Sequence, residues 1–127
     1  MSTDPEGKRI LVIQTHGVET PNRTYSPLYY AMAATAMEME AMVWFTMDGT
    51  NQLKKGAAGK VKLDPTSDVT LETMLEQAQE ADVKLAVCQQ SMALFGMTKA
   101  DLIDGVQILG ATSIIDLALQ ADHVMYF

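Results

Sequence analysis

Runs of branched apolar residues alternate along this chain with stripes of apolar residues at helical spacing. Lys8–Gln14 contains Ile10, Leu11, Val12 and Ile13 in succession, the unbroken run of a strand covered on both faces. Gly17, Pro21 and Asn22 break any period between Thr15 and Thr24, which predicts a long first loop. Ser26 then Pro27 reads as an N-cap before a proline at the first helical position. Leu28, Met32, Thr35 and Met39 follow at helical spacing, so a first helix is expected over Ser26–Glu40. Its other face carries Tyr30, Ala33, Ala34 and Met37, too apolar for a solvated surface, and part of it is expected to meet another subunit.

Ala41–Met47 holds Met42, Val43, Trp44 and Phe45 before Asp48-Gly49, and reads as a second strand. Thr50–Ser67 reads as a long loop, with Lys54, Lys55, Lys60 and Lys62 solvated along it. Asp68 is expected to cap a second helix whose Leu71, Met74, Leu75 and Ala78 form one apolar stripe. Lys84–Cys88 is the third strand, and Gln89–Phe95 a short helix stopped by Gly96. Thr98 and Asp101 stand at capping-box spacing ahead of a short helix over Lys99–Ile103, and Asp104-Gly105 turns the chain into a fourth strand, Val106–Leu109. After Gly110, Ser113 with Asp116 repeats that spacing. Ile114, Leu117, Ala118 and Ala121 line one face of a last helix, Ile115 and Leu119 lie off that stripe, and His123–Phe127 reads as a final buried strand with His123 structural.

The order βαβαβαβαβ predicts a three-layer α/β/α fold with a mainly parallel five-stranded sheet, flavodoxin-like in class. One domain over residues 1–127 is expected, with a polar start over 1–7. Ligands of such sheets bind outside the carboxyl ends of the strands, here near Thr15–Thr24, Asp48–Asn51 and Cys88–Met92.

Composition narrows the function. Apolar residues are 48% of the chain and charged ones 20%, a globular balance. The net charge of −7 disfavours a nucleic-acid partner. The start lacks a secretory pattern and no apolar run is long enough to span a bilayer, so a cytoplasmic protein without membrane partners is expected. Met32, Met37, Met39, Met42 and Met47 crowd one region and are read as packing. Gly56, Gly59 and Lys60 fail as a phosphate loop, because only two residues separate the glycines and Val61 follows the lysine. The first loop has one glycine where the dinucleotide fingerprint needs three. His16 and Glu19 lack a third ligand for a metal site.

Cys88 is the only cysteine. An internal disulfide and a multi-thiolate metal site are therefore excluded, and any thiol exchange is with another molecule. Its residue pattern leaves two readings open: a small buried hydrophobe, or a nucleophile whose thiolate is favoured by the N–H groups of Gln89, Gln90 and Ser91 at a helix start. Arg23 or His16, on the first loop, is a candidate source of positive charge for it.

Cys88-Gln89-Gln90-Ser91-Met92, followed by Asp104-Gly105-Val106 and Gly110-Ala111, resembles the DsrE/DsrF-like family of sulfur-relay proteins. The first loop with Arg23, the Pro27–Ala34 helix start, Phe45-Thr46-Met47-Asp48-Gly49 and the closing Asp122–Phe127 strand are similar to it as well. The resemblance implies a DsrEFH-like domain that assembles into trimers or hexamers. It also implies that Cys88 stands where members carry a persulfide, taking sulfur from a donor protein and yielding it to an acceptor without metal or organic cofactor. The leading expectation is thus intracellular sulfur relay on Cys88, with Arg23, His16, Gln89, Gln90 and Ser91 stabilising or binding the anion. One alternative is a non-catalytic oligomeric module that binds a small anion or nucleotide at the same strand edge. Another is a structural oligomer without chemistry, for which full burial of Cys88 would speak.

Overall fold

Five strands form one sheet in the order β4-β3-β2-β1-β5, and every neighbouring pair is parallel. They are β1 (Arg9–Gln14), β2 (Glu40–Phe45), β3 (Lys84–Cys88), β4 (Val106–Leu109) and β5 (His123–Tyr126). The helices are α1 (Ser26–Ala36), α2 (Leu71–Glu80), α3 (Gln89–Leu94) and α4 (Ala111–Gln120). The computed structural model describes residues 4–127, so the first three residues of the polar start lie outside the described residues.

Side chains alternate across each strand, which sorts the core into two layers. Val12, Val43, Phe45, Leu85 and Val87 pack on one face beneath Leu28 and Ala31 of α1 and Leu71, Met74 and Leu75 of α2. Leu11, Trp44, Ala86 and Cys88 face the other way, against Ile114 of α4. The fold is the expected three-layer α/β/α architecture, with β1 at the point where strand order departs from chain order.

Several boundaries differ from the sequence reading. The first helix stops at Ala36 because Glu38 takes a left-handed φ of 64° and the Met39 N–H returns to the Ala34 carbonyl at 3.0 Å. No glycine or proline marks that stop. Ala34 points into the core, whereas Tyr30, Ala33 and Met37 are exposed. The segment 50–67 is no free loop: 3₁₀ turns at Met47–Leu53 and Ala58–Lys60 carry Leu53, Ala58 and Val61 into the core. Bridges from Lys54 to Leu102 and from Lys62 to Thr70 tie it down, while its four lysine side chains stay at the surface.

Thr70, not Asp68, caps α2, accepting the Thr73 N–H at 3.3 Å, because the Lys62–Thr70 bridge keeps the chain extended as far as Thr70. Gly110, extended, precedes α4, so Ser113 is already inside the helix and Asp116 accepts from Gln120 at 3.0 Å instead of capping. The Thr98–Asp101 capping box forms as read. β5 is an edge strand and His123 is exposed on it, because only β1 flanks it. Of the clustered methionines, Met32 and Met39 pack on one core layer and Met42 on the other, but Met37 and Met47 are 53% and 60% exposed.

Candidate functional site

Cys88 is the last residue of β3 and stands immediately before α3, so its backbone is still extended while the next N–H groups begin a helix. Strand alternation turns its side chain to the α4 side, where Trp44, paired with Ala86 on the neighbouring strand, packs in the same cluster. The Trp44 indole N–H donates to the Leu109 carbonyl at 3.3 Å, and Leu109 is the register partner of Cys88 on β4. The residue is 6% exposed, as the packing reading expects.

Its polar surroundings do not fit that reading. Burial pushes the Cys88 thiol up, but the Ser91 and Thr46 hydroxyls and the N–H groups of Ser91 and Gln90 outweigh it, holding the thiol below the ordinary value of 9.0. Ser91 is itself buried, and its hydroxyl accepts the Met47 N–H at 2.9 Å and lies 3.3 Å from the Thr46 hydroxyl. Met47 reaches that position with a φ of 53°, a left-handed conformation that is uncommon for a residue other than glycine. The ends of β2 and β3 are thus joined by a small polar knot around the sulfur.

Of the residues singled out in the sequence, Cys88, Gln90 and Ser91 come together here. Gln89 is exposed, with its side-chain carbonyl beside Gly110 at the start of α4. Thr46 belongs to the site but carries no charge, and the sequence reads it only as part of the Phe45-Thr46-Met47-Asp48-Gly49 strand end. The signal for a role at the site is its position just past a strand end, in the zone where α/β sheets bind ligands.

His16 and Arg23 lie elsewhere on the same sheet edge. With Asn22, Ser26 and Phe127 they line a cleft of about 300 Å³ past the ends of β1 and β5. Two strand spacings, roughly 10 Å, separate β1 from β3. Gln14, fully buried at the end of β1, holds both loop residues: its amide N–H donates to the Arg23 carbonyl at 2.9 Å and its carbonyl accepts the His16 N–H at 2.8 Å. Glu19 accepts from Asn51 at 2.7 Å and from the Gly17 N–H at 3.0 Å. Burial pushes its carboxyl up, but Asn51, the backbone N–H groups and the nearby His16 outweigh it and leave it below the usual carboxylate range.

A sequence profile of the DsrE/DsrF-like family matches residues 8–127. The sulfur carrier protein DsrE2 of Allochromatium vinosum is 28% identical over an alignment covering 95% of this chain and 99% of its own. An uncharacterized protein of Methanopyrus kandleri is 23% identical over 97% of this chain and 98% of its own. Among solved structures, the YchN protein of E. coli superposes with a TM-score of 0.78 at 20% identity, over 94% of this chain and 99% of its own. A protein of unknown function from Methanobacterium thermoautotrophicum superposes with a TM-score of 0.72 at 15% identity, over 93% of this chain and 98% of its own. No helix among the described residues is long and apolar enough to cross a membrane.

Proposed function

Because this chain belongs to the DsrE/DsrF-like family, we propose that it works in sulfur relay, carrying sulfane sulfur as a persulfide on Cys88. The observation that carries the reading is the place of Cys88, at the strand end before α3, beside Ser91, whose hydroxyl meets the Thr46 hydroxyl and the Met47 N–H. A cysteine that only fills space would have its thiol pushed up by burial, whereas here the Ser91 and Thr46 hydroxyls and two backbone N–H groups reverse that shift. The similarity to a relative named as a sulfur carrier points the same way.

The chemistry is thiol–persulfide exchange. The Cys88 thiolate attacks the outer sulfur of a donor protein's persulfide. A bond forms between Sγ and that sulfur, the donor's S–S bond breaks, and the donor leaves as a thiolate. Delivery repeats the step in reverse roles: an acceptor thiolate attacks the outer sulfur and Cys88 leaves as the thiolate that its four donors stabilise. No electrons are gained or lost overall. With one cysteine in the chain, both steps pair it with another protein. Met47 is exposed beside the site and anchored through its N–H on Ser91. Gln90 and Ser91 act as anion stabilisers, and Gln89 flanks the approach.

The working form in this reading is a cytoplasmic homo-oligomer, a trimer or hexamer. What supports association is the α4 side of the sheet. Ile115 and Leu119 on α4 and Tyr126 on β5 are 62%, 81% and 68% exposed in the single chain.

The test is mass spectrometry after incubation with a low-molecular-weight persulfide. The wild-type chain is expected to gain one sulfur atom and Cys88→Ser none. A wild-type chain that stays unmodified under conditions that load a known carrier overturns the proposal.

A further inference from the structure

The cleft past the ends of β1 and β5 has a separate chemistry. Its lining side chains are His16, Asn22, Arg23, Ser26 and Phe127, with no carboxylate side chain among them. Arg23, like most of the basic side chains, has no ion pair among the described residues, so its guanidinium is open to an incoming group. Glu19, the nearby acid that faces His16, is drawn off by Asn51 and the Gly17 N–H.

The arrangement is built from below. Gln14 is 0% exposed and spends both ends of its amide on the backbone of His16 and Arg23, which fixes the two loop ends relative to each other. The Thr15 hydroxyl donates to the Phe127 carbonyl at 2.6 Å and lies 3.3 Å from His16 Nδ1, so it seats the imidazole beside β5. Tyr30 stacks on Phe127 at 5.7 Å and closes the apolar wall. The cleft also stands where strand order departs from chain order, between β1 and β5, the position at which open α/β sheets take their ligands.

We propose that this cleft is a binding site for a small oxyanion, with the Arg23 guanidinium as its charge partner and the Asn22 amide and Ser26 hydroxyl as neutral donors. The planar fork of arginine matches the paired oxygens of phosphate, sulfate or carboxylate. The site is independent of Cys88, so it stands or falls apart from the relay reading.

The experiment follows backbone amide shifts by NMR during titration with sodium sulfate, sodium phosphate or sodium acetate. Sodium chloride at equal ionic strength is the reference. Saturable shifts at His16, Asn22, Arg23 and Ser26 are expected with at least one oxyanion and not with chloride, and the arm with the tightest binding names the class. Arg23→Gln, at an exposed position, is expected to weaken binding about tenfold or more, as loss of one charge-assisted hydrogen bond implies. Cys88→Ser is expected to bind as wild type does. Shifts that merely follow ionic strength overturn the proposal, as does unchanged binding in Arg23→Gln. Loss of binding in Cys88→Ser also overturns it, because the anion would then sit at the thiol.

Discussion

The hydroxyl of Ser91 accepts the main-chain N–H of Met47 at 2.9 Å, a bond between residues 44 apart in sequence that ties the start of α3 to the end of β2. The same hydroxyl is the first of the donors that lower the Cys88 thiol. One buried oxygen therefore serves both the fold and the chemistry.

Replacing it separates the two roles. Ser91→Ala leaves the Met47 N–H without its acceptor and is expected to cost about 1–3 kcal/mol in urea unfolding. Its thiol is also expected to titrate higher than that of wild type, read as thiolate absorbance. Thr46→Val removes a donor to the sulfur but keeps the Met47 bond, so it is expected to raise the thiol with a smaller loss of stability. Titration curves that coincide in all three proteins would contradict the assigned role of these hydroxyls.

The lowered thiol also predicts how stability follows pH. The folded chain holds the thiolate more readily than the unfolded chain does, so the contribution is present in full above the unfolded chain's value. It is lost as pH falls through the lower, folded value. The stability advantage of wild type over Cys88→Ser is therefore expected to widen as pH rises through the range below 9.0. An advantage that stays flat across that range counts against a stabilised thiolate.

Gly49 sits where a Cβ would lie 2.3 Å from the Gln14 carbonyl, and its N–H donates to Thr46 at 2.9 Å and to Thr15 at 3.2 Å. Gly49→Ala forces the 3₁₀ turn away from the end of β1 and is expected to destabilise by about 1–3 kcal/mol. Unchanged urea midpoints would show that this approach can relax.

Helix capping gives a paired comparison. Thr70→Ala removes the observed cap and is expected to cost about 1 kcal/mol. Asp68→Ala breaks only an exposed pair with Lys62 at 3.7 Å and is expected to change stability little. The reverse ranking would return the cap to Asp68.

Association is expected to depend on α4. Sedimentation velocity should find the wild-type chain larger than a monomer. Leu119→Glu with Ile115→Glu, both at exposed positions, should shift it to monomer with an unchanged circular dichroism spectrum. A wild-type chain that sediments as a monomer refutes the assembly.

What was legible in the sequence is what period and packing decide. Ile10–Ile13 and Leu85–Val87 read as strands because each is buried on both faces, and the α2 stripe reads as a helix because Leu71, Met74, Leu75 and Ala78 all face the core. Cys88 was legible as the residue closing a buried strand before a polar helix start. The stop at Ala36 was not, because Glu38 holds left-handed backbone where glycine is the usual signal. The segment 50–67 escaped because its buried residues follow no single period. Thr46 escaped because an uncharged hydroxyl gains meaning only when β2 and β3 lie side by side. Arg23 and His16 were placed at the correct sheet edge, but the strand order that sets them apart from Cys88 is a property of tertiary pairing alone.

The pairing of β5 with β1 also orders events during synthesis. Asp122 takes the Arg9 N–H across 113 residues of chain. Until β5 has left the ribosome, β1 keeps one side of its backbone unpaired, a template for wrong partners. Of the four strand pairings, this one closes the longest loop and so carries the largest closure cost, which makes β5 the clasp of the sheet.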